Sequence, residues 1–139
     1  MLKPLQSELL NTIPGINHGF FTRQGGVSAP PFDSLNVLAK HDIIDHVLEN
    51  RRRIAAWFGV PAQHLFLAQQ IHGNDIHHLA QGNTWTNEPP PKVDALMTSL
   101  QHHIVSVMTA DCVPILMVDA HNHQNHGPNS FGGSVLERW

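Results

Sequence analysis

Two short apolar runs, residues 103–108 and 113–118, flank the sequence T-A-D-C at residues 109–112, and this arrangement most constrains the fold. Each run is rich in Val, Ile and Met, which is typical of a buried strand. The segment between them holds Cys112, the only cysteine, which therefore cannot form an internal disulfide. A thiol at a strand end can be a nucleophile or a metal ligand, or it can lie in the core as a small apolar group.

The remaining patterns alternate between strand and helix. Apolar runs predict strands at residues 16–22, 64–70, 75–79 and 93–98, with a Gly-rich loop at 23–26 and irregular chain at 27–36. One long helix is predicted from an N-cap at Asp42 to the breakers Gly59 and Pro61. Its apolar stripe comprises Ile44, Val47, Leu48, Ile54, Ala55 and Phe58. We interpret residues 49–53 (ENRRR) as a solvated helix face with an internal ion pair, and residues 81–91 as a proline-rich surface loop.

Composition limits the function classes. A chain of 139 residues fits one domain. The net charge of −3 provides no basic surface, so we expect no nucleic-acid partner. One cysteine, no signal-peptide pattern and no long apolar segment predict a cytoplasmic protein without a membrane-spanning helix. Twelve histidines suggest metal binding, although most lie in polar stretches typical of a solvated surface.

Six motifs occur in a fixed order along the chain. They are H-G-F-F-T-R-Q-G-G-V-S at 18–28, S-L-N at 34–36, E-N-R at 49–51, Q-I-H-G at 70–73, V-D-A-L at 93–96 and A-D-C-V-P at 110–114. Together they resemble the YfiH-type family, whose members carry the labels multicopper polyphenol oxidase, laccase domain and purine nucleoside phosphorylase. The resemblance covers residues 16–119. It implies an α/β fold, a layered α/β/β/α mixed-sheet domain that is incomplete at the C-terminus here.

The resemblance also implies a metal site and a substrate. Family members hold zinc through the histidine of Q-x-H-G, the cysteine of A-D-C and a histidine of a downstream H-A-G-W-R-G motif. His72 and Cys112 match the first two ligands. A three-ligand zinc ion keeps an open position for water or substrate, which is the catalytic type of site. The substrates implied are a purine nucleoside and phosphate.

Four further residues are candidates for binding or proton transfer. Arg23, on its Gly-rich loop, suits an anion. Asn36 and Gln70 suit hydrogen bonds to a sugar or base, or a structural role in a loop and at a strand end. Asp111 is a candidate general acid or base, an orienting partner of a metal ligand, or an acceptor of backbone N–H groups.

The chain departs from the family pattern after Asp119. Residues 120–139 contain no H-A-G-W-R-G and are rich in His, Asn and Gly, which favours a loop. We therefore divide the chain into residues 1–119, the N-terminal part of a YfiH-like domain, and a divergent polar tail at 120–139. His126, His121 and His123 are the candidates for the third metal ligand. Without the later family strands, we expect exposed strand edges and lost cover over Ile104, Val107, Ile115 and Met117.

Three function classes follow. The first is a zinc-dependent purine nucleoside phosphorylase, a transferase acting on adenosine, inosine or methylthioadenosine, with adenosine deamination as a related hydrolase activity. The second is a cysteine-dependent hydrolase or amidase that edits peptidoglycan precursors, with Cys112 as nucleophile and His72 as its base. The third is a non-catalytic metal-binding remnant. Copper oxidase chemistry is disfavoured, because His121-Asn-His123 is the single H-x-H pair and the chain lacks the ligands of a trinuclear centre.

Overall fold

The computed structural model describes residues 1–81, 89–109, 112–119 and 131–137, which contain two α-helices, one 3-10 turn and six strands. The helices are α1 (Glu8–Asn11), α2 (Ile44–Trp57) and a 3-10 turn (Ala62–His64). The strands are β1 (Ile16–Phe21), β2 (Leu65–Leu67), β3 (Ile76–Leu79), β4 (Ala95–Thr98), β5 (Ile104–Thr109) and β6 (Phe131–Glu137). The predicted α/β class is confirmed, and five of the predicted strands are present, four of them shorter than predicted and β5 displaced by one residue.

The larger sheet has four parallel strands in the order β1-β6-β5-β2. Leu65 lies opposite Ile104 and Leu67 opposite Ser106, so β2 and β5 run side by side in register. Parallel strands bring all their carboxyl ends to the same edge of the sheet. The loops after β1, β2 and β5 therefore leave the sheet at one edge.

Helix α2 covers this sheet with a narrower apolar face than the sequence predicts. Val47, Ile54 and Ala55 are buried, and Ile54 and Ala55 pack with residues from β1, β2 and β5, whereas Ile44 and Leu48 are about half exposed, at 52% and 51%. The stripe prediction was wrong at these two positions because the helix rests on the sheet through the face that contains Val47 and Ile54. The polar side chain of Asn50 lies on this buried face.

The start of α2 also differs from the prediction. Ile43, not Asp42, occupies the N-cap position, and no side chain caps the helix. The Asp42 carboxylate accepts hydrogen bonds from the Ser28 hydroxyl at 2.7 Å, the Asn36 amide at 2.8 Å and the Ile43 N–H at 2.7 Å. Asp42 thus ties the preceding loop to the helix.

A second, two-stranded parallel sheet pairs β3 with β4. Leu79 and Thr98 lie opposite each other in this sheet and are buried. Ile76 and Met97 lie on the other face and are exposed. One side of this sheet therefore packs on the protein and the other is open.

The last part of the chain differs most from the sequence prediction. Residues 113–118 form no strand, whereas β6 lies inside the predicted loop and pairs between β1 and β5. Ile104 keeps its cover and is only 2% exposed, contrary to expectation, because it joins the core cluster beside α2. Ile115 and Met117 are exposed at 70% and 85%, as the predicted loss of cover requires.

Two further predictions concern the proline-rich segment and membrane-spanning helices. Most of the proline-rich segment predicted at 81–91 lies outside the described residues. Among the helices of the described residues, none is long and apolar enough to span a membrane.

Candidate functional site at the carboxyl edge of the parallel sheet

Three of the sequence motifs follow the carboxyl ends of parallel strands. The loop with Arg23 follows β1, the Q-I-H-G motif follows β2, and the segment leading to Cys112 follows β5. Strands β2 and β5 are neighbours, and β1 lies two strand spacings from β5, about 10 Å at the usual strand separation. Ligand sites in open α/β sheets form in loops at this edge. The topology therefore brings the candidate ligands and the candidate anion-binding residue to one side of the molecule.

Gln70 joins two of these loops. Its Nε2 donates to the backbone carbonyl of Met108 at 2.8 Å, and its Oε1 accepts from the Met108 N–H at 2.8 Å. The side chain thereby mimics a strand partner and extends the β2–β5 pairing beyond Leu67. Both ends of the amide are engaged by backbone, which favours the structural role left open for Gln70. Its direct contact with substrate stays a prediction.

The His72 loop is fastened by Asp94, the acidic residue of the V-D-A-L motif, for which the sequence predicts no role. The Asp94 carboxylate accepts from the backbone N–H groups of Ile71 at 3.2 Å, His72 at 2.9 Å and Gly73 at 2.7 Å. His72 has a φ of 59°, in the left-handed region that a residue with a β-carbon rarely adopts. Three converging N–H groups hold this conformation in place, and His72 itself is exposed.

These hydrogen bonds make the loop sensitive to acid. The N–H of Gly73, followed by those of His72 and Ile71 and the charge of His72, holds the pKa of Asp94 below its ordinary value of 3.8, although desolvation opposes this. A carboxyl whose pKa is lowered by folding is ionised and keeps its contacts at any pH above its ordinary pKa. It loses these contacts as the pH falls through its lower pKa in the folded chain. We expect the amide resonances of residues 71–73 to shift together with a midpoint below pH 3.8.

An acid titration followed by two-dimensional NMR measures that midpoint. Asp94→Asn is expected to abolish the transition at these amides, whereas Asp75→Asn, which replaces an exposed neighbouring carboxylate, is expected to preserve it. A midpoint at or above 3.8 in the unmodified chain would show that the carboxylate does not hold the loop.

Cys112 is exposed, so the structure does not support its interpretation as a core residue. Cys112 and His72 are donors of the kinds that zinc prefers. Within the described part of the chain, however, no group of three or more His, Cys, Asp or Glu side chains is placed to hold a metal. The described residues therefore do not complete a zinc site. Asp111 and the candidate third ligands His121, His123 and His126 lie outside the described residues.

Arg23 lies on the loop after β1, and both its side chain and its backbone carbonyl make contacts. Its guanidinium forms an exposed ion pair with Asp33. Its backbone carbonyl accepts from the N–H groups of Ser34 at 2.9 Å and Leu35 at 2.8 Å, which folds the loop back on itself. A surface ion pair contributes at most about 1 kcal/mol. The Arg23 side chain can therefore exchange Asp33 for an anionic ligand at small cost.

Asn50 organises the whole segment from Val27 to Asn36. It is fully buried, its Oδ1 accepts from the Val27 N–H at 2.8 Å, and its Nδ2 donates to the Ser28 hydroxyl at 2.9 Å. Nδ2 also donates to the carbonyls of Ser34 at 3.0 Å and Asn36 at 2.7 Å. Asn50 belongs to the E-N-R motif, and no periodic pattern in the sequence predicts its role.

The other polar side chains of this region bond to groups within the protein. The Asn36 amide bonds the backbone of Leu38 and the Asp42 carboxylate, so its predicted contact with substrate stays a prediction. Arg52 and Arg53 pair with Glu49, which confirms the internal ion pair expected for the arginine run. Arg51 departs from the solvated interpretation, because its guanidinium donates twice to the Val37 carbonyl, at 3.0 and 2.7 Å.

The fold and the edge site define an α/β protein whose candidate functional groups follow parallel strands. Residues 17–125 match the family model described as multi-copper polyphenol oxidoreductase laccase. The chain belongs to this family, and the resemblance to YfiH-type proteins is thereby confirmed.

Similar proteins carry one functional name. The chain is 37% identical over 110 residues to a Streptomyces coelicolor protein named purine nucleoside phosphorylase, covering 78% of this chain and 45% of that one. It is 43% identical over 99 residues to the Escherichia coli protein named purine nucleoside phosphorylase YfiH, covering 68% and 37%. The chain thus spans less than half the length of these relatives.

Solved structures agree with the fold. The crystal structure of the Bacillus licheniformis hypothetical protein YfiH matches with a TM-score of 0.63 at 30% identity, covering 68% of this chain and 38% of that one. YlmD from Geobacillus stearothermophilus matches with a TM-score of 0.58 at 33% identity, covering 66% and 36%. These two structures share the α/β fold of this chain over the matched part.

Proposed function

We propose that the carboxyl edge of the parallel sheet binds a purine nucleoside and phosphate, and that the chain takes part in phosphorolysis. The observation that carries the proposal is the double hydrogen bond between Gln70 and Met108, which fastens the His72 loop to the strand that leads to Cys112. The names of the relatives supply the substrate class. Adenosine, inosine and methylthioadenosine are the substrates to be compared, and adenosine deamination is a second activity to be measured.

In phosphorolysis an oxygen of phosphate forms a bond to C1′ of the ribose as the bond from C1′ to the purine nitrogen breaks. The bonding electron pair leaves with the base, which takes up a proton, and the products are the free purine and ribose 1-phosphate. In our proposal Arg23 leaves Asp33 and binds the phosphate, since a guanidinium can donate two parallel hydrogen bonds to an oxyanion. Asp111 is the candidate donor of the proton to the base.

Zinc held by His72 and Cys112 stays a prediction. Cys112 is exposed, and a cysteine ligand binds zinc as the thiolate. The described residues supply these two donors and no third, so no step of the reaction is assigned to the metal. Copper is the less favoured ion for the same pair. The cytoplasmic setting predicted from the sequence belongs to the same proposal, and a purine nucleoside and phosphate are the small-molecule partners that it names.

Incubation of the purified chain with adenosine, phosphate and zinc tests the activity. We expect adenine and ribose 1-phosphate by chromatography. Replacing Arg23 with Gln is expected to raise the KM for phosphate about tenfold, since a charged hydrogen bond to an anion contributes about 1.5–3 kcal/mol. Arg52→Gln, which removes an exposed arginine from the Glu49 ion pair, is expected to leave that KM unchanged. Absence of any product with a chain that melts cooperatively would overturn the proposal.

The exposure of Cys112 also supports the cysteine-dependent hydrolase or amidase as a second candidate. In that reaction His72 accepts the Cys112 proton, the thiolate bonds to the amide carbonyl carbon, and the C–N bond breaks as the amine leaves with that proton. Water then releases the acyl group from the sulfur as a carboxylic acid. The two functions respond differently to inhibitors. Loss of hydrolysis of a peptidoglycan-derived amide after alkylation, with no effect of a chelator, would favour the hydrolase over the phosphorylase.

A further inference from the structure

His18 is a buried histidine of β1 that bonds to the N-terminal segment of the chain. It is 1% exposed, and its Nε2 accepts a hydrogen bond from the Ser7 N–H at 2.7 Å. Its backbone carbonyl accepts from the Gln6 amide at 3.0 Å. A ring nitrogen that accepts a hydrogen bond carries no proton, so the imidazole is neutral and its proton is on Nδ1. Within the described part of the chain, Nδ1 is buried and has no hydrogen-bond partner.

Residues 2–7, here called the strap, lie along the outer edge of β1. Leu5 and Phe20 exchange two backbone hydrogen bonds, at 3.0 and 2.8 Å. Leu2 is buried in the core cluster and packs so closely against Gly25 that a β-carbon at Gly25 would lie 2.6 Å from a Leu2 methyl group. The strap therefore covers the edge of β1 and supports the loop that follows this strand.

We propose that His18 is a pH-operated clasp, in which uptake of a proton by Nε2 releases the strap from β1. A protonated imidazole carries an N–H at Nε2, and this group cannot accept the Ser7 N–H. A charged ring without a partner is also costly to bury, so the protonated ring requires water. Both effects favour displacement of Ser7 and of the strap that precedes α1. This proposal does not rest on the proposed catalytic activity.

The surroundings of His18 make burial the dominant influence on the ring. Charged residues of the neighbouring elements are Lys3 on the strap, Glu8 at the start of α1 and Glu137 at the end of β6. His18 lies opposite Gly133 of β6, four residues before Glu137. Burial lowers the pKa of His18 from its ordinary value of 6.5, and among the described residues it is the only cause of this shift.

The direction of the pH dependence follows from this lowered pKa. With the strap closed, His18 takes up a proton only below its ordinary pKa, whereas with the strap open the ring is in water and titrates at that value. The closed form is therefore favoured above pH 6.5 and is progressively lost as the pH falls below it. The ratio of open to closed chains should rise about tenfold for each pH unit, down to the lower pKa of the closed form.

Hydrogen exchange at the strap amides tests the clasp. The protection factors of the Leu5 and Ser7 amides are expected to fall about tenfold between about pH 7.5 and about pH 5.5, whereas that of Ile54 in α2 is expected to stay unchanged. His18→Gln places a non-titrating acceptor near the position of Nε2, so it is expected to remove the pH dependence. His78→Gln, at an exposed histidine of β3, is the matched control and is expected to retain it.

Nitrogen NMR of the His18 ring gives a second test in the unmodified chain, which remains decisive if His18→Gln does not fold. We expect the proton on Nδ1 and an unprotonated Nε2 at neutral pH, and a proton on Nε2 would overturn the proposal. Protection of Leu5 and Ser7 that does not change with pH would also overturn it. So would an equal fall at Ile54, which would indicate unfolding of the whole domain, or a pH dependence that persists in folded His18→Gln.

Discussion

Replacement of Asn50 by alanine is expected to lower the free energy of unfolding by about 3 kcal/mol, because four hydrogen bonds lose one partner in a buried site. The Val27 N–H and the Asn36 carbonyl bond to this amide, and the Ser34 carbonyl accepts from it as well as from the Ser28 N–H. Asn50 is 0% exposed, so these groups lose a hydrogen-bond partner in a buried site, which is costly. For a domain of this size the melting temperature should fall by about 10 °C.

Denaturant unfolding and thermal melting followed by circular dichroism measure the effect. Asn50→Asp provides a closer test than alanine, because it keeps the acceptor for Val27 but turns an oxygen toward the two carbonyls. We expect it to be at least as destabilising. Asn11→Ala, at an exposed position in α1, is expected to change stability by less than about 0.5 kcal/mol. If Asn50→Ala lowers the free energy of unfolding by less than about 1 kcal/mol, the segment from Val27 to Asn36 folds without the hydrogen bonds of Asn50.

Much of the fold could be predicted because its signals are local. The six residues of β5 and the helix ending before Gly59 follow directly from apolar spacing and breakers. Residues 113–118 and 131–137 could not be assigned in this way. The first has an apolar strand pattern and no partner among the described strands, and the second has a Gly-rich, weakly apolar sequence and two partners. Strand formation depends on pairing with distant chain, which a window of sequence does not contain.

The candidate site likewise has residues that the sequence predicts and residues that it does not. The order of motifs predicts that Arg23, His72 and Cys112 belong to one site, and the loops that follow β1, β2 and β5 leave one edge of the parallel sheet. The residues that hold these loops were not predicted. Asp94 bonds the loop of His72 across 22 residues, and Asn50 bonds Val27 across 23. Their polar side chains carry no periodic signal, so only the folded chain shows which backbone groups they satisfy.

Gln70 makes a contact that the sequence does not predict and that we expect to affect function. Because its amide replaces a strand partner for Met108, we expect Gln70→Ala to destabilise the protein by about 2 kcal/mol through two lost hydrogen bonds. It should also reduce kcat for phosphorolysis about 100-fold, since misplacing reacting groups by about 1 Å has that effect. Gln70→Glu retains the acceptor for the Met108 N–H but directs an oxygen at the Met108 carbonyl, so it is expected to behave like alanine despite its size.

Hydrogen exchange separates positioning from substrate binding by Gln70. If Gln70 positions the loop, the Met108 amide exchanges faster in both variants while the KM for the nucleoside changes little. If it instead holds the substrate, KM rises and the exchange and stability of the unliganded protein stay as they were. Gln69→Ala, one residue away and exposed, is the matched control and should alter none of these quantities. A wild-type Met108 exchange rate in Gln70→Ala would therefore exclude the positioning role.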